Sequence, residues 1–113
     1  MDNSLLDKLN AERRYYESTK SVEGFPRGFC DEVPVEIAKK YGMEIHSGNF
    51  IDLDGEKHTH IWNYNKETRE IVDLTADQFG DFFPEVYTIL DDSADAKKFY
   101  ETIRKNILVE DLN

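Results

Sequence analysis

An antiparallel β-sheet packed against helices, an α+β fold, is the architecture this 113-residue sequence predicts. Three observations carry that expectation. Apolar residues keep helical spacing in two stretches before residue 42. From Met43 the period changes to two, with tight polar turns between the segments. Helical spacing then returns near residue 94. The length suits one domain, 1–113, with a single modest core.

Residues 3–20 read as the first helix. Asn3 or Ser4 can cap it, and Leu5, Leu6, Leu9 and Tyr16 form an apolar stripe that Arg13 and Arg14 interrupt, which predicts a more exposed second half. Gly24, Pro26 and Gly28 then mark residues 21–29 as a loop. A second helix is expected from about Cys30 to Tyr41. Val33, Ile37 and Tyr41 share one face, Gly42 terminates it, and Pro34 is tolerated in the first turn, where N–H groups have no intrahelical partner.

Met43, Ile45, Ile51 and Leu53 share a parity, with a bulge or bend expected at Ser47-Gly48-Asn49 and a hairpin turn at Asp54-Gly55. The return strand, 57–64, puts His58, His60, Trp62 and Tyr64 on one face. A polar turn at 65–68 leads to a third strand over 69–74. Residues 75–84 read as an aromatic loop or short helical turn, and 94–107 as a final helix with Ala96, Phe99, Tyr100, Ile103 and Ile107 at its apolar positions.

Fourteen basic against twenty-four acidic residues leave a formal charge of −10. That repels phosphate backbones and anionic lipids, so no nucleic-acid and no membrane partner is expected, and no apolar run approaches the ~20 residues of a membrane span. Protein or peptide substrates or partners remain compatible. The opening residues MDNSLLDKLNAERR lack the basic and apolar regions of a secretory signal, and one cysteine excludes an internal disulfide. A cytoplasmic setting with a reduced thiol is therefore expected. No cofactor is implied, and nothing in the sequence sets the oligomeric state.

That thiol, Cys30, heads a predicted helix, and His60 and Asp73 follow on successive predicted strands. This order suits a thiol nucleophile, its base and the base's orienting carboxylate. A helix start favours the thiolate, whereas Asp31 and Glu32 oppose a further negative charge, so a neighbouring imidazole would be decisive. Each residue also has a plainer reading: a small buried cysteine, a strand histidine, an aspartate organising a turn with Thr75. A further reading has His58 and His60 hold a metal, completed by Cys30, His46 or Asp73.

Gly28-Phe29-Cys30, His60-Ile61-Trp62 and the run Asp73-Leu74-Thr75-Ala76-Asp77-Gln78-Phe79 together resemble small bacterial and phage proteins of the papain-like, transglutaminase-like cysteine superfamily. The match covers about residues 26–80. It implies a papain-like core over 26–80 with the nucleophile at a helix N-terminus, preceded by an N-terminal helix (1–20) and followed by a C-terminal loop and helix (81–113). It implies Cys30 as nucleophile, His60 as general base and acid, and Asp73 as orienting carboxylate. Trp62, Gln78 and Phe29 are the residues it places beside a substrate. Members of that group often carry Gln where Phe29 stands, a departure that would remove a donor to an oxyanion and leave the Cys30 N–H. The function implied is thiol-dependent acyl transfer, as a cysteine peptidase, deamidase or transglutaminase. The alternative is a non-catalytic protein-interaction module on the same scaffold.

Overall fold

The computed structural model describes residues 1–112; Asn113, with which the expected C-terminal segment ends, lies outside the described residues. Helix α1 spans Asn3–Lys20. Its cap is Asp2, ahead of the expected Asn3 or Ser4, with Oδ1 accepting from the Leu5 N–H at 2.8 Å. The expectation about its second half is corrected as well. Arg13, four residues after Leu9 and so on the same stripe, is buried at 4% exposure.

Helix α2 spans Glu32–Tyr41, two residues shorter at its start than the sequence suggests. Cys30 and Asp31 form the turn that leads into it, and the Val33 N–H makes the first i→i−4 bond, to the Phe29 carbonyl at 3.0 Å. Gly42 closes the helix with a left-handed φ of 69°.

The sheet contains β1 (Glu44–Ile51), β2 (Lys57–Asn65), β3 (Glu70–Asp73), β4 (Tyr87–Leu90) and β5 (Tyr100–Arg104), in the order β4-β3-β2-β1-β5 with every neighbouring pair antiparallel. Between β4 and β5 runs α3 (Ala94–Phe99), capped by the Ser93 hydroxyl. Short 3-10 turns occupy Ser21–Glu23, Ala76–Phe79 and Val109–Leu112. Among the described residues, no helix is long and apolar enough to cross a membrane.

Two strands depart from the sequence reading. β4 lies in a stretch given no element. The expected helix over 94–107 ends at Phe99, and residues 100–104 form β5 on the free edge of β1. The strand pairs the edge of β1 along residues 47–50, whose backbone groups a continued helix would leave without partners. The irregularity expected at Ser47-Gly48 is present, but in the β1–β5 ladder. Ser47 faces Arg104 and Gly48 faces Thr102, so the extra residue is Ile103 in β5. Gly48 is obligatory there, because a Cβ on it would sit 1.9 Å from the Glu101 carbonyl oxygen.

Both faces of the sheet are covered. α1 and α2 bury Leu9, Tyr16, Phe29, Val33 and Ile37 against Met43, Val72 and Leu74. On the other face Phe50, Trp62, Ile71, Tyr87 and Tyr100 pack with Phe83, Ala96 and Phe99. β2 is therefore buried on both faces toward its C-terminal end. His60 and Trp62 face one layer, and Asn63, equally buried, faces α2, where its amide donates to the Pro34 carbonyl at 2.9 Å and the Glu44 carbonyl at 3.3 Å.

Candidate active site

Asp73 is the last residue of β3 and His60 lies on β2 beyond the end of the β2–β3 ladder, which pairs residues 63–65 with 70–72. Continuing that register sets Asp73 opposite Trp62, one diagonal step from His60 on the same face, within reach of a histidine and an aspartate. His60 Nε2 and Asp73 Oδ2 are 2.7 Å apart, and both residues are buried.

Asp73 has four contacts on its two oxygens. Oδ2 takes His60 and the Tyr100 hydroxyl, the latter at 2.7 Å; Oδ1 accepts from the Thr75 N–H at 3.0 Å and from its hydroxyl at 3.4 Å. The turn-organising and ring-orienting readings of Asp73 thus coexist, one on each oxygen. Burial by itself would raise the Asp73 carboxyl, but the charge and hydrogen bond of His60, with the Thr75 and Tyr100 donors, outweigh it and hold the group below the usual carboxylate range. Burial would likewise lower His60, and there Asp73 foremost, then Cys30, reverse the effect and push the imidazole up to about 9. Nδ1 of His60 has no hydrogen-bond partner. Phe79 and Phe50 meet the ring edge-on at 4.9 and 5.8 Å, and Trp62 lies tilted at 5.9 Å, so the imidazole is walled by aromatics.

Cys30 is half-buried and unpaired. It arrives by way of the loop ahead of α2, which reaches the end of β2 that β3 leaves uncovered. Pro26 and Arg27 share a cleft of about 500 Å³ with His58, Phe79, Gln78 and Asp81. Gln78 stands in the Ala76–Phe79 turn with its amide Nε2 buried and unpaired. Trp62 is fully buried beside His60. Phe29 is buried in the layer under α1 and α2, 5.5 Å from the Phe25 ring, with the Lys20 ammonium above it.

Tyr100 belongs to the surroundings of this pair and Arg13 to the segment beside it, and sequence reasoning assigned neither a part in it, whereas the Asp73–Thr75 turn was expected. Arg13 clamps the segment that follows Asp73: its guanidinium donates to the Leu74 carbonyl (2.8 Å), the Glu85 carbonyl (3.0 Å) and both Asp77 oxygens (2.8 and 2.7 Å), while Nε donates to Glu17. Its place on the Leu9 stripe was the available signal. For Tyr100 there was none, since its partner lies 27 residues away.

The metal set built on a His-x-His pair is not assembled. His58 pairs with Asp52 at 2.8 Å and His46 with Glu44 at 3.0 Å, while His60 is taken by Asp73. Among the described residues, donor atoms gather only at Asp52, Glu56 and His58, within 4.8 Å of one another, and there Asp52 Oδ1 already accepts the Asp54 and Glu56 N–H groups of the hairpin turn. Comparison of the chain with protein-family models, with curated proteins and with solved structures returned no match.

Proposed function

We propose that this chain is a thiol-dependent acyl-transfer enzyme of the papain-like, transglutaminase-like kind, with Cys30 as nucleophile, His60 as base and acid and Asp73 as orienting carboxylate. The observation that carries the reading is the asymmetry of His60. One ring nitrogen is held by a buried carboxylate, the other has no partner, and the half-buried thiol lies near enough to favour the charged ring.

Asp73 on Nε2 sets the tautomer with the proton on that nitrogen and leaves Nδ1 to accept the thiol proton. The thiolate sulfur then attacks the carbonyl carbon of an amide or thioester. Its developing oxyanion is met by the Cys30 N–H, which precedes the first intrahelical bond of α2. The bond to the leaving group breaks as His60 returns the proton to it. Water or an amine next attacks the thioester, gives up its proton to His60 and releases the sulfur, which is reprotonated. Gln78 and the cleft beside it form the substrate side, and Trp62 backs the imidazole. Peptide hydrolysis, deamidation and transglutamination all follow this course and differ in the amide attacked and in the second nucleophile.

The test is the rate of Cys30 alkylation by iodoacetamide from pH 5 to 10 in the parent chain, His60→Ala and Asp73→Asn. A rate at pH 6 well above that of free cysteine, lost in both variants, supports the reading. A rate equal to free cysteine and indifferent to His60 overturns it. One observation favours the second reading, a non-catalytic interaction module: the residue ahead of Cys30 is a buried phenylalanine with no polar group to offer a substrate. Under that reading Cys30→Ala leaves the protein's biological effect intact.

A further inference from the structure

Tyr100 opens β5 opposite Phe50 and is buried to 6% exposure. Its hydroxyl donates to the same Asp73 oxygen that His60 Nε2 contacts, each at 2.7 Å. Phe50 at 5.1 Å and Trp62 at 4.9 Å, both edge-on, hold the phenol ring. We propose that Tyr100 is a positioning residue for His60, acting through Asp73: it fixes the shared oxygen in place and sets how strongly that oxygen holds charge on the imidazole.

The physical argument turns on which protonation state needs the phenol more. When His60 is an imidazolium, the shared oxygen receives a charge-assisted bond and is well compensated. When His60 is neutral, the buried carboxylate keeps its full charge and depends more on Tyr100 and Thr75. The hydroxyl therefore stabilises the neutral-imidazole state by more than the charged one. It restrains the upward shift that a less compensated Asp73 carboxylate would carry further, and so keeps His60 able to release its proton.

The groups facing the pair are few. Asp73 comes from β3, Cys30 from the turn before α2, and Tyr100 from β5. Tyr87 comes from β4, its own hydroxyl directed to Asp95 at 3.5 Å. From β1 only the uncharged Gly48 and Phe50 face His60. Burial first, and then the Asp73 carboxylate already close to Tyr100, hold the phenol protonated and thus a donor.

The inference rests on the acyl-transfer reading only for its consequence at Cys30; the effect on His60 is measured by itself. The experiment is an NMR titration of the histidine rings. His60 is identified by elimination, using His46→Asn and His58→Asn, since the chain has three histidines. Tyr100→Phe keeps the ring and deletes the hydroxyl, and is expected to raise the His60 titration midpoint by about half to one pKa unit. Replacement of Tyr100 by 3-fluorotyrosine keeps the fold and strengthens the donor, and is expected to lower the midpoint. Opposite shifts in the two proteins support the proposal, and if Tyr100→Phe does not fold, the fluorotyrosine arm alone decides. An unchanged midpoint with a lower melting temperature overturns it, since that is the mark of a packing role. If the midpoints move as expected while Cys30 alkylation fails to follow them, the acyl-transfer reading fails and the role of Tyr100 stands.

Discussion

Replacing Asp73 by asparagine separates the two opposing influences on His60 and converts them into a stability measurement. In the folded protein the imidazole titrates at about 9 against an ordinary 6.5. That difference, at about 1.4 kcal/mol per unit, corresponds to about 3 kcal/mol of stability linked to this single proton. The group is fully buried, so solvent screening does not reduce the figure to a surface value. Since the folded value lies above the unfolded one, the stabilisation is fully present below pH 6.5 and is lost as pH rises through about 9. In Asp73→Asn the main raising partner is gone and burial, the largest influence on the ring, lowers the His60 value instead. The variant then loses stability as pH falls through the region where the parent gains it. Urea unfolding under reducing conditions at pH 6 and pH 9.5 reads both slopes. The parent is expected to be more stable at pH 6 by an amount of order 3 kcal/mol once the slope of the variant is taken as the reference, a large part of the roughly 5–15 kcal/mol a domain commands. Parallel pH dependences in the two proteins would refute the argument, because they would mean that the carboxylate does not hold the proton.

Three further outcomes follow from the packing around the site. Gly48→Ala drives a Cβ into the Glu101 carbonyl, so β5 must shift; a loss of more than about 2 kcal/mol by urea unfolding is expected, and a neutral result would contradict the close approach of β5. Arg13→Met leaves the Leu74 and Glu85 carbonyls and the Asp77 carboxylate without their common donor. It is expected to cost about 3 kcal/mol and to speed amide exchange across residues 74–86, with no change in that segment as the contrary result. Asn63→Ala unties the start of α2 from the sheet at Pro34. A loss of about 1–3 kcal/mol and a slower Cys30 alkylation at pH 6 are expected, and an unchanged alkylation rate would show that Asn63 does not position the thiol.

Much of the central part of the fold was legible in local pattern. Period-two alternation and the Asp54-Gly55 turn located β1 and β2, and Gly42 the end of α2. Hairpin adjacency was enough to bring His60 to Asp73, because neighbouring antiparallel strands set their diagonal residues within side-chain reach. Residues 94–107 were not legible. Phe99, Tyr100 and Ile103 fit a helical stripe as well as a helix followed by a strand, and a six-residue helix offers few turns to judge by. Arg13 was misread because charge was allowed to outweigh its position, although a buried guanidinium with five donors can meet four separate acceptor groups at once.

By itself, then, the sequence determined the fold class, the order of Cys30, His60 and Asp73 along the chain, and the faces of the strands that carry the last two. These follow from the repeat of side chains along one backbone. Tertiary structure alone decided that β5 closes the free edge of β1, that Arg13 is buried, and that Tyr100 shares an oxygen with His60. Each of those depends on which distant segment satisfies an unpaired backbone or charged group, a choice made by the free energy of the assembled layers and not by any residue's neighbours in sequence.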